Sequence, residues 1–202
     1  MSQLQHENLT CALLPDGTVE ITGYTGPQDP GWERTTVVDI PERIDGRPVT
    51  SIGAKAFRDV CVQRIVLPDG LRRIGEYAFC ACCFTEPLVI PDSVEVIGKL
   101  AFYRIGGMVE NPIPASLRYI ASCGYAGSGV TGTLVLPETL QFIGEKAFAW
   151  NTRLTGLVLP ACAFRAEADA LMGVEQLTVH PGSAGEAIAL ASPINPHSVR
   201  RL

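Results

Sequence analysis

No stretch of this 202-residue chain stays apolar for more than eight residues before a polar residue, proline or glycine interrupts it, so no membrane-spanning helix is expected. Basic blocks are missing too, and a net charge of −5 argues against a nucleic-acid surface. Residues 1–14, MSQLQHENLTCALL, show neither a basic n-region nor an apolar h-region. The expectation from that segment is a cytoplasmic chain or one whose leader has been removed. Histidine is scarce: His6, His180 and His197 are scattered, and none has a nearby serine or cysteine with an acid to orient it. Gly127-Ser128-Gly129 lacks the first glycine and the strand-turn-helix context of a nucleophile elbow. The glycines of 124–132 are not followed by Lys-Ser/Thr, so they do not make a phosphate loop. Glu138 and Glu145 read as solvated carboxylates. Neither catalysis nor a cofactor is expected.

Seven cysteines, an odd number, cannot form a complete set of bridges within one chain. Cys80, Cys82 and Cys83 are too close together for a zinc knuckle, and no histidine lies near them, so a metal is the least favoured reading. Cys61 and Cys83 each stand four residues after a phenylalanine, Phe57 and Phe79. The favoured reading is core packing, since free cysteine is a small, readily buried hydrophobe. A Cys61–Cys83 bridge is the second. Reduced cysteines would fit a cytoplasmic address.

What the chain does have is a period. Pro68, Pro91, Pro114, Pro137 and Pro160 fall 23 residues apart, as do Ile74, Ile97, Ile120 and Ile143. Phe79, Phe102, Tyr125 and Phe148 keep the same step, with Leu171 one step further. A fixed period of this length marks a solenoid whose repeats bury their apolar faces only against one another. About seven coils fit the length. Hydrophobic residues at 47% are enough for a continuous core.

Residues 1–36 read as an N-terminal cap: a hairpin over 9–24 turning at Pro15-Asp16-Gly17, then a loop, with Trp32 covering the first coil. The solenoid runs over 37–180. Its first coil starts at Val37-Val38-Asp39-Ile40-Pro41 and carries an extra loop over 42–48. Coils at 62–84, 85–107, 108–130, 131–153 and 154–173 follow, then a last strand over 174–179. Each coil opens with a strand that a proline ends, because proline has no N–H for the next ladder bond. A second short extended piece brings the chain back, Gly75, Gly98 and Gly144 permit a bend, and the Ala-Phe run makes one tight or 3-10 turn with its ring inward. Residues 181–202 form a C-terminal cap, with a weak helix over 184–190 and a mobile tail from 192 onward.

The run L-x-x-L-x-L-P-x-x-L-x-x-I-G-x-x-A-F, present as IVLPDGLRRIGEYAF at 65–79, LVIPDSVEVIGKLAF at 88–102 and LVLPETLQFIGEKAF at 134–148, resembles the Treponema-type leucine-rich repeat of BspA-like bacterial surface antigens. The resemblance covers about residues 9–190. It implies a leucine-rich-repeat solenoid, β-rich and of the horseshoe-like α/β class, with right-handed coils and a parallel concave sheet. Family members are typically surface-exposed proteins that bind host or bacterial proteins, whereas no export signal or wall anchor is visible here. The fourth coil also departs from the pattern. Asn111 and Pro112 stand where an inward Ile or Leu and then a valine belong, and Cys123-Gly124-Tyr125 replaces the Lys-Ala-Phe type of run. A break in the sheet is expected around Glu110–Pro114, either by drift or as a notch built for a ligand.

Two residues before each proline the side chain must face away from the core, because both neighbours face in. Those positions hold Val66, Val89, Val135 and Val158, interrupted by Asp39 and Pro112. Four residues before the prolines, Arg64, Glu110 and Thr133, with Gln176 in the last strand, give a mixed polar border. Valine is a good strand former wherever it stands, but a continuous exposed apolar strip often marks a partner surface. The expected partner is a protein, or a second copy forming a homo-oligomer. No nucleic acid and no membrane insertion are expected.

Overall fold

The computed structural model describes residues 3–29, 35–106, 109–110, 112–193 and 196–202. Trp32 and Asn111, assigned above to the cap and to the irregular coil, lie outside them. The cap strands are β1 (Gln3–His6), β2 (Leu9–Leu13) and β3 (Val19–Tyr24). The first coil holds β4 (Val37–Asp39), β5 (Arg43–Ile44) and β6 (Arg47–Ile52). The second holds β7 (Cys61–Val62), β8 (Arg64–Val66) and β9 (Arg73–Ile74), and the third β10 (Cys83–Phe84), β11 (Leu88–Val89) and β12 (Val96–Ile97). Then come β13 (Val109–Glu110) and β14 (Tyr119–Ile120), β15 (Thr131–Val135) and β16 (Phe142–Ile143), and β17 (Arg153–Val158) and β18 (Arg165–Ala166). The chain closes with β19 (Gln176–Val179), α1 (Ala184–Ala191) and β20 (Val199–Arg201).

The solenoid is held by two sheets, a separate parallel β7-β10 pair and a ladder of turns. The second, returning piece of each coil makes the long sheet: β3, β6, β9, β12, β14, β16 and β18 pair in parallel in that order, behind the antiparallel β1-β2-β3 cap. Its inward column, Ile21, Ile52, Ile74, Ile97, Ile120 and Ile143, is fully buried. The strands that open the coils form a shorter, interrupted sheet: β4-β8, β11-β13 and β15-β17-β19-β20. Between them the carbonyls of Pro68, Pro91, Pro114 and Pro137 each accept a turn-closing bond from the N–H three residues on, at 3.0 Å for Leu71 on Pro68 and 3.1 Å for Leu140 on Pro137. Proline thus ends the strand and also anchors the turn that redirects the chain.

The Ala-Phe run is a turn in which alternate N–H groups do different jobs. Ala56 and Arg58 bond back three residues, to the carbonyls of Gly53 and Lys55. Lys55 and Phe57 instead donate to the next coil, to Glu76 at 2.8 Å and Ala78 at 2.9 Å. Tyr77, Leu100, Cys123 and Lys146 repeat the role of Lys55. All five have φ between 53° and 61°, a left-handed conformation costing a non-glycine residue about 1–2 kcal/mol. The bond between coils offsets that cost. The rings behind these turns stack in one file: Phe57–Phe79 at 5.5 Å, Phe79–Phe102 at 5.8 Å, Phe102–Tyr125 at 5.3 Å and Tyr125–Phe148 at 5.5 Å. Every one of these rings is buried, and Leu171 continues their column, also buried.

Several expectations change. Gly75, Gly98 and Gly144 do not have positive φ, so the turns that follow them do not call on glycine's left-handed freedom. They let coils stack: a Cβ on Gly98 would sit 2.5 Å from the carbonyl carbon of Gly75. Residues 42–48 are not a loop but mostly the β5-β6 hairpin, turning through Asp45 (φ 51°) and Gly46 (φ 72°), a pair of positive φ values that Asp-Gly is suited to adopt. Residues 199–201 form a strand where a mobile tail was expected. β20 pairs in parallel with β19, and Arg201 Nε lies 2.5 Å from Glu186 Oε1. Cys61 and Cys83 form a disulfide with Cα atoms 4.6 Å apart, whereas Cys11, Cys80 and Cys82 are free and buried. Core packing therefore describes those three, and the bridge joins coils two and three.

The fourth coil slips. Val109 pairs with Leu88 and Glu110 with Val89, a step of 21 residues where the repeat step is 23. Cys83 bridges to Gly106, so five residue steps separate Cys83 from Leu88 and three separate Gly106 from Val109. Two residues are lost before the strand and regained after it, where Ile113 rejoins the core. Val109 fills the inward column, and Glu110 takes the register position expected for Pro112. Tyr125, the only tyrosine in the ring file behind the solenoid's Ala-Phe-type turns, donates its hydroxyl to the Pro112 carbonyl. That bond satisfies both a buried phenol and the carbonyl displaced by the slip. Among the described residues the ladder ends at Glu110, so the expected break lies between β13 and β15.

Candidate docking surface

The outward column of the first sheet reads, from cap to cap, Asp39, Val66 and Val89, the last in register with Glu110, then Val135, Val158, Thr178 and Arg200. Val66 is 37% exposed, Val89 51% and Val135 65%, while Val158 is half-buried. The strip is thus two apolar pairs on either side of the slip, with acid at one end and base at the other. Val66 and Val89 line a groove of about 410 Å³ together with Arg64, Glu86 and Pro87. Pro87, lacking an N–H, sits just before β11 where the first sheet is interrupted, and sequence reasoning overlooked it.

The border residues are less uniform than their spacing suggests. Arg64 is exposed and pairs with Glu86 at 3.4 Å. Thr133 is exposed, its hydroxyl 3.4 Å from that of Thr155. Gln176 is exposed and in register with Gly156, which follows Thr133 in that column. Glu110 is not in the border, because the slip carries it into the strip beside Val89.

Groups that could suggest chemistry are used structurally. Ser128 is fully buried and bonds to Asn151 Oδ1, which also accepts the Gly129 N–H at 3.0 Å. Asn151 Nδ2 in turn donates to the carbonyls of Tyr125 and Phe148, each at 2.8 Å. Glu138 accepts the N–H groups of Ala161 at 2.9 Å and Cys162 at 2.8 Å, which holds its carboxyl below the usual glutamate range. Glu145 pairs with Lys146 at 2.6 Å.

A second exposed apolar surface, which the sequence reading missed, lies on the long sheet. Its outward column runs Glu20, Ser51, Arg73, Val96, Tyr119, Phe142, Arg165. Tyr119 is 44% exposed, its ring 6.2 Å from that of Phe142. These two rings, Val96 and Arg73 line a shallow groove of about 390 Å³.

A family model described as BspA type leucine rich repeat region matches residues 40–177 in six copies. The chain belongs to this family. The BspA-type fold is shared with a leucine rich cell surface protein from Faecalibacterium prausnitzii A2-165, at a TM-score of 0.70 and 22% identity, over 89% of this chain and 48% of that one. A T. pallidum leucine rich repeat protein is similar at a TM-score of 0.66 and 26% identity, over 100% of this chain and 83% of that one. This BspA-type chain spans about half the length of the Faecalibacterium protein. No curated protein matches it.

Proposed function

We propose that this chain is a non-enzymatic scaffold that binds a protein partner on the outward side of the first sheet, as a bacterial surface protein does. The observation that carries the reading is the exposure of Val66, Val89 and Val135 on strands whose inward neighbours are core, with a groove beside the first two. Charged and polar side chains at Arg64, Glu86, Thr133 and Gln176 rim the apolar pairs, the arrangement of an interface. The Cys61–Cys83 disulfide suits an oxidising exterior, and a cell-surface relative shares the fold. A second reading, homo-oligomer formation, is favoured by β20, which pairs on one side only among the described residues. Size-exclusion chromatography with light scattering separates the two. A monomer supports the scaffold; a discrete dimer that survives Val89→Lys and Val135→Lys supports association away from the strip, as at the β20 edge, and one that they dissociate, with circular dichroism unchanged, puts a second copy on the strip and overturns the first reading.

A further inference from the structure

The long sheet presents a built pattern on its outer face. Tyr119, Phe142 and Val96 form an apolar run across three adjacent strands, flanked in the same column by a guanidinium on each side, Arg73 and Arg165. Neither guanidinium has a side-chain partner among the described residues. The neighbouring carboxylates are committed elsewhere. Glu95 is held by Arg72 at 2.9 Å and Arg118 at 3.5 Å, and Glu167 accepts the Glu145 N–H. Four strand spacings separate Arg73 from Arg165, about 19 Å at 4.8 Å per strand.

We propose that this face binds an extended acidic peptide lying along the solenoid axis. Charge and spacing select this ligand. An extended chain advances about 3.4 Å per residue and turns alternate side chains to the same face, so residues one and seven of a heptapeptide are about 20 Å apart on that face. Carboxylates at those two positions meet Arg73 and Arg165, each as a charge-assisted pair with a guanidinium that has no competing partner. Apolar side chains at positions three and five then lie over Val96, Tyr119 and Phe142, where aromatic surface supplies contact area at low entropy cost. The recognised pattern is acidic-x-apolar-x-apolar-x-acidic. This surface is separate from the valine strip and goes beyond the reading given for it.

The probe is a fluorescein-labelled peptide, Glu-Ser-Leu-Ser-Phe-Ser-Glu, followed by anisotropy against the full chain. Saturable binding is expected, weakened roughly tenfold or more by Tyr119→Ser, by Arg73→Glu with Arg165→Glu, and by raising salt from about 50 to about 500 mM. Substituting lysine for both glutamates should abolish binding to the native protein and restore it with the arginine-reversed variant. Val89→Lys with Val135→Lys, on the other sheet, should leave peptide binding unchanged. The inference is overturned if the acidic peptide does not saturate, if either variant of the long sheet binds it as before, or if the strip variant loses it. Binding of polygalacturonate without binding of the peptide also overturns it, since that places an acidic polysaccharide on this face.

Discussion

Phe102→Ala removes the ring at the middle of the aromatic file. Phe102 is fully buried between Phe79 at 5.8 Å and 1° and Tyr125 at 5.3 Å and 25°. Transfer of the lost side chain accounts for roughly 2 kcal/mol. A cavity of about 80 Å³ left unfilled adds about 2 kcal/mol at roughly 24 cal/mol per Å³. Collapse is resisted because Phe102 N–H is held to the Gly124 carbonyl at 3.1 Å and the sheets clamp the coil on its other sides. The total is about 4 kcal/mol, with about 1 kcal/mol or more added by the two lost ring contacts. Phe148→Ala loses one ring contact, with Tyr125, and should cost somewhat less. Urea unfolding followed by far-ultraviolet circular dichroism reads both, with the slope m checked for a loss of two-state behaviour. A cost below about 1 kcal/mol for Phe102→Ala would refute the stacked file as a source of stability.

Other consequences can be checked on the same preparations. Tyr125→Phe should cost about 1–2 kcal/mol in urea, the value of a hydrogen bond whose loss leaves the Pro112 carbonyl short of a partner; a neutral result would mean that the slip does not need the phenol. A thiol titration in denaturant should count five free thiols, and reduction should lower stability by about 3 kcal/mol for a closed loop of 22 residues; seven thiols would exclude the bridge. Burial raises the Tyr125 phenol and pushes the Cys82 thiol up to about 12. The folded state holds these protons more tightly than the unfolded one, so the stability they contribute is intact below about pH 9 and falls as pH rises above it. Glu138 and Glu186, held low chiefly by backbone N–H groups, act in the opposite sense: their contribution is present above about pH 4.3 and is lost as pH falls below it. Flat stability between pH 9 and 11 would contradict the assigned burial.

The repeat was legible because the columns are chemical necessities. Proline ends the strand, isoleucine and the ring fill the interior, and stacked backbones leave room only for glycine at Gly75 and Gly98. The slip was not legible. Its two missing residues and two extra residues cancel, so Pro114 and Ile120 keep their spacing while Val109 and Glu110 change columns. Cys61 and Cys83 could be placed in one column by counting, but sequence carries no sign of redox state. The hairpin at Asp45-Gly46 had its turn signal, yet its first strand is only two residues long and gave too little alternation to show. Tyr119 and Phe142 went unnoticed for a related reason. Each stands in a two-residue strand, and only pairing across coils brings them together. The final strand over Val199–Arg201 ends in two arginines, a composition that reads as solvated tail until β19 supplies its ladder.

The docking claim rests on the valine pairs, and one measurement addresses it most directly. The native chain and the Val89→Lys, Val135→Lys variant are immobilised side by side and exposed to extracellular matrix proteins and to the source organism's own lysate, with bound proteins quantified by mass spectrometry. The account predicts a protein retained by the native chain and lost, by roughly tenfold or more, on the variant, with identical circular dichroism. Equal retention on both surfaces would contradict it, and would place the partner site away from the outward column of the first sheet.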